Sequence, residues 1–194
     1  MAKRILVILN IVILLSLLPG QVFASDNPPA KKEALPAIKL PIPADPDERS
    51  YLGVSGEGLF RIPQIGARVV VIEIFSLYCS QCQAFAPEAN ALYQKIEEVP
   101  EFREWIKLIG IGVGNSPLEV DTFKRSNDVP FPLFPDPEFD IHKLLGEVRT
   151  PYFIVLRINP DRTHDVIYSE PGAFGEAETF LRRILKDSGL KKGK

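Results

Sequence analysis

The feature that most constrains this chain is the run Cys79-Ser80-Gln81-Cys82, which holds the only two cysteines among 194 residues. It follows the β-branched apolar stretch 69–75 after three residues and directly precedes a helical pattern of apolar residues. A dithiol at a strand-to-helix junction lies at a helix N-terminus, where partial positive charge and free N–H groups favour a thiolate. Because the thiolate is the nucleophile of disulfide exchange, the spacing predicts a reactive pair.

Other uses of the cysteine pair are less consistent with the sequence. A disulfide across a two-residue gap closes almost no loop and would stabilise the fold little. A zinc site needs about four ligands, and the sequence has no second C-x-x-C and no H-x-H pair. No histidine follows Cys82, so covalent haem attachment through C-x-x-C-H is not expected. We therefore expect neither a metal nor a cofactor.

The first 24 residues have the pattern of a secretory signal peptide. Lys3 and Arg4 precede an apolar run over 5–18, and a Pro-Gly pair then separates this run from a cleavage-like site at Ala24. The alternative is an uncleaved N-terminal anchor, although the run is shorter than the ~20 residues that a spanning helix needs. Export would place the remaining chain in an oxidising compartment, and we expect a bacterial periplasm.

The rest of the chain is long enough for one domain with a full core. Residues 25–48 contain six prolines and predict an extended, flexible linker, so that the domain spans 49–194. Without Lys3 and Arg4, the remaining 21 basic and 25 acidic residues give a net charge of −4. This balance does not favour nucleic acid or an anionic membrane surface as a partner.

Apolar patterning predicts several strands and helices along the domain. The predicted strands lie at 53–62, 69–75, 106–113, 130–134, 152–158 and 165–168. Four helices are predicted. The first follows the cysteines and stops at Pro100, and the second begins at the capping box Ser116-Pro117-Leu118-Glu119. The third runs from Asp136 to Leu145, and the last ends near Gly189. This order predicts an α/β fold with a central mixed, mostly parallel β-sheet and helices on both faces.

Two segments resemble a known family. Residues 70–87, Val-Val-Ile-Glu-Ile-Phe-Ser-Leu-Tyr-Cys-Ser-Gln-Cys-Gln-Ala-Phe-Ala-Pro, resemble the active-site segment of the thioredoxin superfamily. Residues 148–153, Val-Arg-Thr-Pro-Tyr-Phe, resemble its cis-proline segment. The export pattern and an extra helix-strand stretch around 107–135 make the chain most similar to exported TlpA/ResA-type thiol-disulfide oxidoreductases, which are thioredoxin-like proteins of the redoxin branch. The resemblance covers roughly residues 50–188.

The resemblance implies catalytic roles for three residues. Cys79 would attack a partner's disulfide, and Cys82 would resolve the mixed disulfide. Glu73 lies six residues before Cys79, where thioredoxins have a buried acid. Burial there would raise the pKa of its carboxyl and suit proton transfer to or from Cys82. The family's common acid is aspartate, and the alternative is that Glu73 faces solvent or pairs with a lysine.

The resemblance also implies roles for residues beside the cysteines. The bond from Thr150 to Pro151 is cis in the family, and the Thr150 backbone would bind an incoming chain by strand addition. The alternative is an ordinary trans proline at a strand start. Tyr78 stands where many relatives have tryptophan and would line the rim of the site; the alternative is that it covers the core. Ser80 and Gln81, both uncharged, would tune thiolate stability and thereby the reduction potential.

The activity implied is disulfide exchange with extracytoplasmic proteins, in the direction of a reductase supplied by a membrane electron donor, with apocytochromes c as candidate clients. A peroxiredoxin-like peroxidase is an alternative, because Ser76 lies three residues before Cys79, where peroxidases carry threonine. However, Ile72 stands where the peroxidase proline is expected. A non-enzymatic thioredoxin-fold binding module is a further alternative. Peroxide consumption would identify the peroxidase, and activity without either cysteine would identify the module.

Overall fold

The computed structural model describes residues 28–30 and 35–190, and the predicted signal segment 1–24 lies outside these described residues. In chain order the elements are β1 (Lys39–Pro41), α1 (Pro46–Leu52), β2 (Leu59–Arg61), β3 (Val69–Phe75), α2 (Ser80–Glu97), α3 (Pro100–Trp105), β4 (Ile106–Val113), α4 (Pro117–Ser126), β5 (Leu133–Asp136), α5 (Asp140–Leu144), β6 (Tyr152–Ile158), β7 (His164–Pro171) and α6 (Ala177–Ser188). Within the described part of the chain, no helix combines the length and hydrophobicity needed to cross a membrane.

A five-stranded sheet in the order β5-β4-β3-β6-β7 forms the centre of the fold. β3 is parallel to β4 and β4 to β5, whereas β6 is antiparallel to both β3 and β7. Every residue of β3 and β4 is buried, which explains why both strands are continuous apolar runs rather than alternating ones. The expected α/β fold with a central mixed sheet is confirmed, although antiparallel pairs are as frequent as parallel ones.

The two faces of the sheet carry two hydrophobic clusters. Successive side chains of a strand point to opposite faces. The apolar residues of β3 with even numbers lie in the first cluster, together with Leu52 of α1. Those with odd numbers lie in the second cluster, together with Cys82 of α2 and Phe180 of α6. Glu73 has an odd number, so this alternation directs its carboxyl toward the face covered by α2.

The segment before residue 49 differs from the flexible linker predicted over 25–48. In its described part, β1 pairs with β2 in a register that sets Leu40 opposite Phe60. Leu40 is fully buried in the first cluster, and Leu35 and Ile38 are almost completely buried there. The Leu35 backbone N–H also donates to His164 Nε2 at 2.9 Å. Residues from Leu35 onward are therefore part of the packed domain.

The number of prolines in residues 25–48 placed the start of the domain too late, because proline also occurs at the ends of strands and in the first turns of helices. Pro41 is the last residue of β1, an edge strand of the two-stranded sheet, and proline is tolerated at such a position although it has no backbone N–H to donate. Pro46 occupies the first turn of α1, directly after Asp45, whose side chain accepts from the backbone N–H of Asp47. Similarly, Pro100 was expected only to stop the helix after the cysteines, but it begins the separate helix α3.

We expect Leu40→Ala to lower the free energy of unfolding by about 2–4 kcal/mol, because the substitution leaves a cavity in a closed core. The measurement is urea denaturation of the chain without residues 1–24. Lys39→Ala is the matched control, since Lys39 is exposed on the same strand. Equal stability of the two variants would show that residues 35–48 do not pack against the domain in solution.

Candidate active site

The two cysteines lie where β3 gives way to α2. They are joined by a disulfide, and their Cα atoms are 5.2 Å apart. Cys79 is the N-cap residue of α2, and its Sγ accepts a hydrogen bond from the Cys82 backbone N–H at 3.1 Å. Cys79 is half-buried, whereas Cys82 is completely buried. The helix N-terminus therefore favours negative charge on the accessible sulfur, while burial disfavours it on the inner one.

The loop before Cys79 is held by a buried asparagine that sequence reasoning missed. Asn115 follows the carboxyl end of β4 and is fully buried. Its Oδ1 accepts from the Leu77 backbone N–H at 2.8 Å, and its Nδ2 donates to Ser76 Oγ at 3.4 Å. The Gln83 side-chain amide donates to the Leu77 carbonyl at 2.7 Å. A polar residue just after a central strand was the available signal, because β3 ends at the same edge.

Tyr78, the residue directly before Cys79, is exposed and does not cover the core. Its hydroxyl donates to Glu119 Oε1 at the start of α4. Glu119 Oε2 accepts from the Ser116 backbone N–H at 2.7 Å, which completes the predicted capping box. The hydrogen bond between the two side chains raises the pKa of Tyr78 and lowers the pKa of Glu119. The rim is therefore attached to α4 rather than free.

Glu73 is buried in the middle of the sheet. Only 2% of the residue is exposed, and its neighbours on the adjacent strands are Gly110 and Phe153. Its Oε1 atom has no hydrogen-bond partner among the described residues. Burial raises the pKa of its carboxyl to about 8. Glu73 therefore does not face solvent, and no lysine among the described residues forms an ion pair with it.

The segment before β6 reaches the same edge of the sheet. The Thr150–Pro151 peptide bond is cis, as the family resemblance implies. The Pro151 carbonyl accepts from the Gly172 N–H at 2.8 Å, whereas Thr150 forms no backbone hydrogen bond within the described chain. Thr150 lines one groove together with Tyr78, the residue directly before Cys79, and Tyr152 pairs with Ile74 near the end of β3.

Ser80 and Gln81 lie in the first turn of α2 and are exposed to solvent. Neither side chain forms a hydrogen bond or ion pair with the described residues. Ser80 and Gln81 therefore add no charged side chain to the first turn of α2. Elsewhere, no group of three or more His, Cys, Asp or Glu side chains within residues 28–30 and 35–190 has the geometry of a metal site.

Comparison with known proteins supports this geometry at the level of the fold. No family model and no curated protein sequence matches the chain. A Chlorobium tepidum protein assigned as thiol:disulfide interchange protein DsbE is 16% identical, with a TM-score of 0.60 over 83% of this chain and 99% of its own. The thioredoxin domain of a Bacteroides vulgatus thiol-disulfide oxidoreductase is 11% identical, with a TM-score of 0.59 over 80% and 98%.

A secreted Mycobacterium tuberculosis disulfide oxidoreductase, described as homologous to DsbE of E. coli, is 15% identical. Its TM-score is 0.52 over 67% of this chain and 90% of its own. Identities this low establish similarity of architecture and leave the chemistry to be argued from the site. The chain has the thioredoxin-like fold of these oxidoreductases.

The raised pKa of Glu73 predicts a specific dependence of stability on pH. Between the ordinary value of 4.5 and about 8, the unfolded chain ionises Glu73 while the folded protein keeps it protonated. The folded state then binds more protons, so the free energy of unfolding falls as pH rises. From pH 5 to 8, this loss amounts to about 3.5 kcal/mol in the wild type and is absent in Glu73→Gln.

Urea unfolding of the oxidised protein at pH 5, 6.5 and 8 measures this difference. Glu98→Gln is the control, because Glu98 is an exposed glutamate at the far end of α2. Other titrating groups affect all three proteins equally, so only the difference from the wild type matters. A stability difference between wild type and Glu73→Gln that stays constant with pH would contradict the raised pKa.

Proposed function

We propose that this protein is an exported thiol-disulfide oxidoreductase that exchanges disulfides with other proteins through Cys79 and Cys82. The observation that carries the proposal is the unequal exposure of two bonded sulfurs at the start of α2. An accessible N-cap sulfur can be attacked or can attack, while the buried sulfur can reach only its partner in the pair.

The exchange takes place in two steps. The Cys79 thiolate attacks one sulfur of a client disulfide, which breaks that bond, forms a mixed disulfide and releases one client thiolate. The Cys82 thiolate then attacks the Cys79 sulfur and releases the second client thiolate. The client gains two electrons, and the protein returns to the disulfide seen in the structure.

Glu73 supplies a site for the proton that this second step requires. Cys82 is buried and must lose its proton before it attacks. Glu73 lies on the sheet face that α2 covers, and its pKa of about 8 leaves part of the population ionised near neutral pH. A carboxyl whose pKa lies near the working pH is well suited to accept and return a proton.

The segment around Thr150 provides the binding surface for the client backbone. Its unpaired N–H and C=O groups can add an extended client segment as a short strand. Tyr78 lies at the rim beside Cys79, and Ser80 and Gln81 set the electrostatic surroundings of the Cys79 thiolate. Because Ser80 and Gln81 are uncharged, the helix N-terminus stabilises the Cys79 thiolate without help from a charged side chain at these two positions.

The direction and the place of the reaction also belong to this proposal. The signal-like pattern of residues 1–24 supports work in the periplasm, with an uncleaved anchor as the alternative form. We assign the protein as a reductase of disulfides in exported proteins, including apocytochromes c, supplied with electrons by a membrane donor. The similar M. tuberculosis structure is of a secreted disulfide oxidoreductase.

Cys82→Ser should accumulate mixed disulfides between Cys79 and client proteins, because the resolving sulfur is missing. The measurement is a non-reducing gel of the protein recovered from the periplasm, followed by release with dithiothreitol and mass identification of the clients. Cys79→Ser is the matched control and should trap far fewer, because the remaining sulfur is buried. Equal, low trapping by both variants would contradict the mechanism.

The reduction potential of the Cys79–Cys82 pair decides the direction. For a reductase we expect a value close to that of thioredoxin, about −270 mV. Alkylation and mass analysis across a series of dithiol buffers measures this potential in the protein without residues 1–24. A value close to about −120 mV, typical of a strong oxidant, would reverse the proposed direction and leave the exchange chemistry intact.

A further inference from the structure

The loop 76–78, which leads from β3 to Cys79, is held by two side chains that bind the backbone of the same residue. The Leu77 backbone N–H donates to Asn115 Oδ1 at 2.8 Å. The Leu77 carbonyl accepts from Gln83 Nε2 at 2.7 Å. Both backbone polar groups of Leu77 are therefore paired with side chains, one from the residue pair between β4 and α4 and one from the first turns of α2.

Asn115 is itself held in a fixed position. It is fully buried and directly precedes Ser116, the N-cap residue of α4. Its backbone N–H donates to the Gly112 carbonyl at 3.2 Å, which closes a turn after β4. Within this turn Gly114 has a φ of 62°, a left-handed conformation that glycine adopts without strain. A buried amide on such a restrained backbone is a rigid support for the loop.

The chemistry of an amide suits both partners of Asn115. The Leu77 N–H can only donate and therefore takes the amide oxygen, which leaves the amide nitrogen to donate to Ser76 Oγ at 3.4 Å. An ionised aspartate at this position could not donate, and its charge would have to be buried. Asn115 thus uses both ends of a neutral side chain on the loop.

The turn that contains Leu77 determines where Cys79 lies. The Cys79 N–H donates to the Ser76 carbonyl at 3.1 Å and closes this turn. Cys79 then has the extended backbone of an N-cap residue, and its Sγ accepts from the Cys82 N–H at 3.1 Å. A sulfur in this position is stabilised as a thiolate by that N–H and by the helix N-terminus. Both effects weaken when the sulfur moves away, because they act only within the first turn.

We propose that Asn115 is a positioning residue for disulfide exchange, which holds the Leu77 backbone so that the Cys79 sulfur stays at the N-terminus of α2 after reduction. This inference rests on the proposed function. In the oxidised protein the disulfide itself restrains Cys79 next to Cys82. After reduction this restraint is gone, and the contacts of the loop must keep the sulfur in place. Asn115 therefore acts in the state that attacks a client.

The test measures the rate at which iodoacetamide alkylates the reduced protein between pH 5 and 10. The Cys79 thiolate displaces iodide, and the profile reports Cys79 because Cys82 is completely buried. In Asn115→Ala we expect the midpoint of the profile to move to higher pH and the rate below the midpoint to fall about 5-fold, because the thiolate loses stabilisation. The rate on the high-pH plateau should stay within about 2-fold of wild type.

Gln83→Ala removes the second support of Leu77 and is exposed, so that it does not disturb the core. It should lower the rate below the midpoint about 3-fold. In the double variant the loss should be smaller than the product of the two single losses, because both side chains act through one backbone unit. An unchanged profile in Gln83→Ala would overturn the role of Leu77, and with it that of Asn115, even if Asn115→Ala did not fold.

The charges around the loop are the same in all of these proteins. The titratable and charged side chains on the surrounding elements are Tyr78 in the loop, Glu73 of β3, Glu119 of α4, His142 of α5 and Arg149 before β6. Each substitution replaces one neutral side chain by another and removes no charge. A shifted midpoint therefore reports the position of the sulfur relative to the helix.

Asn90→Ala and Gln94→Ala are the matched controls. Asn90 is a half-buried asparagine of α2 whose amide donates to the Asn127 carbonyl at 2.9 Å, so its replacement affects stability without touching the loop. Gln94 is an exposed glutamine farther along the same helix as Gln83. Both variants should keep the wild-type profile.

The outcomes separate this inference from the proposed function when exchange with glutathione disulfide is measured on the same proteins. A wild-type protein that does not react with glutathione disulfide would overturn the proposed function and the inference with it. Exchange by the wild type together with an unshifted profile in Asn115→Ala would overturn only the positioning role. An equal shift in Asn90→Ala would also overturn that role, because any loss of stability would then move the profile.

Discussion

Burial of β3 on both faces is the constraint on which the rest of the structure depends. Helices cover each side of this strand, and all seven of its residues are buried. β3 ends at the edge of the sheet, and the short loop 76–78 then leads into α2, whose N-cap is Cys79. The reactive sulfur is consequently located by the packing of the core and not by a separate binding motif.

The same burial gives three titratable groups three different environments. Cys79 lies at the positive end of a helix and is partly accessible, so its thiolate is favoured. Cys82 is completely buried one turn later, and Glu73 lies on the face that α2 covers, with no hydrogen-bond partner for Oε1 among the described residues. Since desolvation disfavours charge on the Glu73 carboxyl, its pKa is raised to about 8 and the group holds its proton near neutral pH.

Polar contacts between loops then complete the edge of the sheet around this centre. Asn115 fixes the loop before Cys79, Glu119 holds the Tyr78 hydroxyl, and His142 connects α5 to the segment before Thr150. The contacts of Asn115 and Glu119 join residues about 40 positions apart in sequence, whereas that of His142 with Val148 is local. At the same edge, the Thr150 backbone forms no hydrogen bond within the described chain and is free to pair with an added strand.

The sequence by itself determined the central strands, the position of the cysteine pair and the unusual acid at Glu73, because these follow from local periodicity and spacing. It did not reveal that residues 35–48 are packed, since proline content reports chain stiffness and not the burial of Leu40 against Phe60. The position of Asn115 just after a central strand was a signal in the sequence, but its partners Leu77 and Ser76 were not, because these contacts form across the sheet edge. Only tertiary structure decides such contacts, since local patterning encodes which face of an element is apolar but not which distant loop meets it.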